Sequence, residues 1–128
     1  MQKPGTLGIT GLALVMAGAI VTPAPGQAET SPARPAAFSQ CTGCHSTEPG
    51  KTLFGPSLAR VAGRRAGSLP GYTYSPALKA SGLTWDAATL DKWLTSPRKT
   101  VPGTKMPFAG IADPAQRKQV VDYLMTLR

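Results

Sequence analysis

In the second half of this chain the hydrophobic positions recur with a helical period. Ala87, Leu90, Trp93 and Leu94 follow Thr84 at helical spacing, which predicts an amphipathic helix capped by Thr84 and stopped at Pro97. Asp113-Pro114-Ala115-Gln116 is a strong start signal: an acidic cap, Pro at the first helical position and Gln three residues after the cap. Behind it Val120, Tyr123, Leu124 and Leu127 form an i, i+3, i+4, i+7 stripe. Ser75-Pro76 predicts a capped helical turn that ends before Gly82. Nearer the N-terminus, Ala36, Ala37, Phe38, Cys41 and Cys44 suit a short helix within 35–44. Glu29–Arg34 reads as a frayed lead-in, and Ser46–Pro70 is Gly-, Pro- and Ser-rich with no period, hence loop. No stretch shows the alternation of a strand. The expected fold class is all-α, with three main helices and loops long enough to need something to wrap.

The first 28 residues follow a different logic. Lys3 supplies a positive start, Leu7–Val21 is an uncharged run of 15, Pro23 and Pro25 break it, and Gly26-Gln27-Ala28 offers small residues for cleavage. These are the parts of a secretory signal, and the run falls short of the roughly 20 residues a membrane-crossing helix needs. An uncleaved anchor is the alternative. The expected organisation is a signal over 1–28 and one domain over 29–128, exported to the bacterial periplasm.

Composition narrows the class. A chain of 128 residues with 41% hydrophobic and 6% aromatic side chains excludes a large enzyme and leaves one small domain that is marginal without added apolar contact. Without its leader it carries thirteen basic against six acidic residues, net +7. The basic residues are scattered and no nucleic-acid module is visible, so nucleic acid is a poor partner.

The soft ligands are two cysteines and one histidine, all within Cys41-Thr42-Gly43-Cys44-His45. C-x-x-C-H is the attachment signature of c-type haem. Two thiols one helical turn apart can add to two vinyl groups on one haem edge, and the adjacent histidine is carried beneath the ring to reach iron. A thioredoxin-like dithiol would need a βαβ setting, and a structural zinc site would need a fourth ligand. A chance disulfide would not call for His45. For a sixth iron ligand, Met1 and Met16 leave with the signal, and Met125 sits on the last helix where packing explains it. Met106 lies in the aperiodic loop Pro102-Gly103-Thr104-Lys105-Met106-Pro107-Phe108, restrained by neighbouring prolines. The competing reading of Met106 is a gap-filling core residue.

With these motifs in order, the chain resembles a class I c-type cytochrome of the mitochondrial cytochrome c and bacterial cytochrome c2 branch. The resemblance spans Phe38 to Leu127. It rests on Cys41–His45, Gly55-Pro56-Ser57-Leu58, Gly63-Arg64, Gly71-Tyr72-Thr73-Tyr74-Ser75, Gly82-Leu83-Thr84-Trp85, Pro102–Met106 and Tyr123-Leu124. It implies the class I cytochrome c fold around one covalently bound haem c. It also implies His45 and Met106 as axial ligands, with the Pro56 carbonyl orienting His45. Tyr74 and Trp85, helped by Arg64, would hydrogen-bond a haem propionate, Thr104 would support the methionine loop, and Phe108 would cover the exposed edge. Arg34 and Pro35 depart from the pattern where relatives often carry a glycine at the crossing of first and last helices. Trp93 replaces a tyrosine that commonly bonds the methionine sulfur, and Leu78 an asparagine near it.

The implied function is an exported monohaem carrier of single electrons with low-spin, His/Met-ligated iron, not an enzyme. The alternative is a haem peroxidase or gas binder with a labile sixth ligand. Expected partners are redox proteins with acidic docking surfaces, met by a monomer through Lys51, Arg98, Lys99 and Lys105. Membrane contact is expected only through membrane-bound partners or an uncleaved leader. Gln40 stands where relatives often place a docking lysine.

Overall fold

The computed structural model describes residues 1–2, 4–5 and 32–127. The expected leader lies outside them apart from its first few positions. Among the described residues no helix is long and apolar enough to cross a membrane.

Five short helical segments are joined by long connections. A 3-10 helix, Ala36–Gln40, opens the fold, followed by α1 (Pro76–Ala80), α2 (Ala87–Thr95), α3 (Pro97–Thr100) and α4 (Pro114–Leu124). The three expected main helices are the 3-10 segment, α2 and α4. Two starts match the sequence reading. Ser75 accepts from the Leu78 amide at α1, and Asp113 accepts from the amides of Ala115 and Gln116 at α4, satisfying N–H groups that the first turn cannot pair internally.

Other details differ. The cap of α2 is Asp86, which accepts from the Thr89 amide, because Thr84 is taken up in an isolated antiparallel bridge with Arg65. Pro97 stops α2 but also opens α3 at its first position, where a missing N–H costs nothing. The N-terminal helix tightens to 3-10 and hands over to a turn at Cys41–Cys44.

The core lies where the 3-10 helix and α2 pack against α4. Phe38 is 0% exposed and meets Tyr123 edge-on, ring centroids 4.9 Å apart. Burying such a ring is worth roughly 1.5–3 kcal/mol, and the aromatic contact adds about 0.5–1.5. Arg34, at the position where relatives often have glycine, does not disturb this packing. Its guanidinium lies over the outer face of Phe38, 5.3 Å from the centroid. Leu90, Trp93 and Leu94 of α2 and Val120, Val121 and Leu124 of α4 join Phe38 in the core, with Val61, Ala66, Leu78, Trp85, Val101 and Ile111 from α1 and the loops.

The loops are ordered by their own bonds. The Arg64 guanidinium donates to the carbonyls of Ser57 and Ala59, both at 2.9 Å. Gly63 N bonds Trp85 O, Trp85 N bonds Arg64 O, and Ala66 N bonds Leu83 O, tying 63–66 to 83–85. Gly110 has φ +112°, and a Cβ there would sit 2.8 Å from the Thr95 carbonyl carbon. Only glycine lets this loop press against the end of α2, where Ile111 N bonds Leu94 O at 2.8 Å. The Arg117 side chain locks the same junction, donating to Asp91 Oδ1 at 2.7 Å and to Ile111 O at 2.9 Å.

Candidate functional site

Between the helices and the loops lies a cavity of about 520 Å³, within the roughly 300–1,000 Å³ of small-molecule and cofactor sites. Its walls are largely apolar: Leu58 and Val61 from the first long loop, Leu78 from α1, Leu90 and Leu94 from α2, and Leu124 from α4. Pro56, Arg64, Tyr74, Trp85, Trp93, Thr104 and Phe108 all line it, as do Cys41, Cys44, His45 and Met106. Residues spread over most of the folded chain therefore converge on one space.

The cysteine turn is built by the backbone. Cys44 N and His45 N both bond Cys41 O, at 3.1 and 2.9 Å, so the two thiols stand one turn apart. Both are unpaired. Burial pushes the Cys41 thiol up, against a smaller lowering by the Arg34 charge.

His45 is held by one strong bond. Its Nδ1 lies 2.7 Å from the Pro56 carbonyl. A carbonyl can only accept, so Nδ1 carries the proton and Nε2 of the neutral ring keeps its lone pair. Burial pushes the imidazole below its ordinary value, the Arg64 charge acting the same way and the Pro56 bond opposing. The ring lies against Gly55, where a Cβ would come within 2.7 Å of Nδ1 and 2.9 Å of Nε2. Gly55 is itself fixed by its N–H to Cys44 O at 2.7 Å.

On the side of the later loops, Thr104 Oγ1 accepts a long 3.4 Å bond from the Met106 amide. Trp93 and Trp85 are buried and meet edge-on at 5.2 Å. Leu78, in place of a polar residue, is buried and adds to the apolar wall. Burial raises the Tyr74 hydroxyl above its usual range, the Arg64 charge opposing, and burial lowers Arg64 in turn. Tyr74 and Arg64 both line the cavity and bring polar groups to its otherwise largely apolar walls.

The expected docking residues do not share one place. Lys105 lines the cavity mouth and donates to Thr73 O at 2.7 Å. Lys51 is exposed and pairs with Glu48 at 3.2 Å. Arg98 and Lys99 are exposed on the last turn of α3 and do not line the cavity.

The donor set fits haem c: two unpaired thiols one turn apart, an imidazole with a free Nε2, a thioether, and apolar walls around them. Among the described residues no three of His, Cys, Asp or Glu gather as a metal-holding group, so the zinc alternative has no site. The cytochrome c family model matches residues 35–128. The chain belongs to the cytochrome c family. It is 50% identical over 94 residues to cytochrome c2 iso-2 of Magnetospirillum molischianum, covering 73% of this chain and 97% of that one. It is 51% identical over 90 residues to the cytochrome c2 of Rhodomicrobium vannielii, covering 70% of this chain and 72% of that one. Among solved structures, cytochrome cH from Methylobacterium extorquens superposes with a TM-score of 0.67 at 50% identity, covering 70% of this chain and 91% of that one. This places the protein in the cytochrome c2 branch of class I c-type cytochromes. It carries one covalently attached haem c and is an electron carrier, not an enzyme.

In the sequence Gly55 stands only as part of a motif, and its reason, the flat seat it gives the His45 ring, is visible only in the structure. A glycine directly before Pro56, ten residues after His45, was the available signal. Ser57 was also missed as a structural group: its hydroxyl donates to Glu48 O at 2.6 Å, which pins the loop carrying Pro56.

Proposed function

We propose that this cytochrome c is an exported, monomeric, periplasmic carrier of single electrons. In this reading Cys41 and Cys44 would hold haem c through thioether links, and His45 Nε2 and Met106 Sδ would ligate its iron. When bound, haem c supplies a centre that changes charge by one electron. The rest is supplied by the chain. The Pro56 carbonyl holds the His45 proton on Nδ1 and keeps Nε2 available. The walls from Leu58, Leu78, Leu90 and Leu94 exclude water. Tyr74, Trp85 and Arg64 hold the polar corner where acidic groups of the cofactor would sit. Thr104 steadies the methionine loop, and Phe108 covers the mouth. Methionine ligation would favour the reduced form, and iron held by both His45 and Met106 would have no place left for a substrate.

One observation carries the proposal: the 2.7 Å Nδ1–H···O=C bond of His45 to Pro56, in a cavity that Cys41, Cys44 and Met106 also line. Export rests on the leader Met1–Ala28, whose charged start, short apolar run and small-residue exit suit cleavage. The net positive charge suits acidic partner surfaces, with Lys105 at the mouth and Lys51, Arg98 and Lys99 as further contacts.

The test is Met106→Ala in protein matured in a periplasm equipped for haem attachment. The parent should show a methionine–iron charge-transfer band and resist added cyanide or carbon monoxide, and the variant should lose the band and bind both. A parent that already binds them rapidly and completely would replace the carrier reading with a ligand-binding or peroxidase one.

A further inference from the structure

Leu53 and Phe54 break the rule that the rest of the folded chain obeys. Among its described residues they are the large hydrophobic side chains left exposed, Leu53 at 44% and Phe54 at 87%. They are adjacent in sequence, and Phe54 lines the cavity mouth beside Cys44. Leu53 does not line the cavity, so a bound cofactor does not account for its exposure.

The backbone beneath them is pinned on every side. Leu53 N bonds Gly55 O at 3.1 Å, and Gly55 N bonds Cys44 O at 2.7 Å. Phe54 O accepts from the Tyr72 hydroxyl at 3.0 Å, and the Lys105 ammonium lies 5.9 Å from the centre of the Tyr72 ring. An exposed aromatic on an already ordered backbone loses little entropy when it is covered, which is the property of a binding anchor. Cations flank it: Lys105 across Tyr72, and Lys51 two residues before Leu53.

We propose that Leu53 and Phe54 form a rigid apolar docking knob for a redox protein bearing an apolar spot within an acidic surface. This rests on the electron-carrier reading above. A second copy of the chain is a poor occupant, since the net charge of +7 without the leader opposes self-association. Lys105 and the net positive charge of the chain select an acidic face, Lys51 being paired with Glu48, and the knob adds a contact that salt does not screen. A partner seated there lies over the Cys44 side of the cavity, next to the attached edge of the cofactor.

The holoprotein can be tested by voltammetry on gold carrying a carboxylate-terminated monolayer or a mixed carboxylate- and methyl-terminated one. At a salt concentration that releases the parent from the carboxylate layer, the mixed layer should still hold it. Phe54→Ser should weaken retention on the mixed layer roughly tenfold, and Leu53→Ser, which touches no cavity wall, severalfold. Parent and Leu53→Ser, which lies off the cavity wall, should respond equally on carboxylate at low salt. Equal retention of parent and both variants on the mixed layer would overturn the knob. So would parent binding to phosphatidylglycerol vesicles, lost in Phe54→Ser, without discrimination between the two monolayers, since that points to a membrane. A parent that gives no wave on either layer would instead overturn the carrier reading.

Discussion

Replacing Gly55 by alanine tests the steric logic of the histidine seat. The backbone at Gly55 needs no special φ, so the change brings no conformational strain and acts through the added methyl alone. That methyl would stand 2.7 Å from His45 Nδ1 and 2.9 Å from Nε2, roughly 0.6–0.8 Å short of the ~3.5 Å of ordinary heavy-atom contact. Retreat of Gly55 is blocked by its bond to Cys44 O, so the imidazole must give way. A displacement of that size takes the 2.7 Å bond to Pro56 O past the ~3.2 Å limit of a good hydrogen bond. Overpacking costs about 1–3 kcal/mol and the lost bond about 1 more, a total of about 2–4 kcal/mol. Urea unfolding of the holoprotein measures this as a lowered midpoint at unchanged slope. Gly43→Ala is the control, because its Cβ would meet nothing within 4 Å, and it should stay within about 0.5 kcal/mol of the parent. If Gly55→Ala unfolds at the parental midpoint with an unaltered haem spectrum, the imidazole is not seated on Gly55.

Two further substitutions probe the frame. Arg117→Lys keeps the charge but cannot serve Asp91 and the Ile111 carbonyl together. With the side chain largely buried it should cost about 1.5–3 kcal/mol, read by thermal or urea unfolding. Asp86 caps α2 through the Thr89 amide, and that bond holds its carboxyl below the ordinary range. Its contribution is therefore complete above the unfolded value near pH 4 and is lost as pH falls through the lowered folded value. Asp86→Asn, which caps without titrating, should flatten the acid limb of stability measured between about pH 4 and pH 2. An acid limb identical to the parent's would mean that the cap carries none of it.

Local signals were legible where a residue acts on its own neighbours. Asp113, Ser75 and the Cys41–His45 turn each form bonds within a few positions of themselves, so their spacing in the chain already encodes their geometry. Thr84 shows the limit. Its type and place suit a cap, but its backbone is committed to Arg65, some twenty residues away, and Asp86 takes the cap instead. Pro97 was readable as a stop and not as the start of α3, because the second role depends on the loop that follows. Arg34 is a further case: where relatives often carry a glycine, its long side chain lies over the Phe38 ring, and Tyr123 still meets that ring edge-on.

By itself the amino-acid order determined the helical class, the leader-like first 28 positions, the haem-attachment motif and Met106 as the one loop methionine in the folded region. Each of these is a matter of residue type and short-range spacing. The tertiary structure decided which nitrogen of His45 carries its proton, what Gly55 is for, how Arg117 joins α2 to α4, and that Phe54 stands in solvent. Those facts depend on contacts between segments distant along the chain, and packing brings such segments together by shape and apolar burial, which no short window of sequence contains.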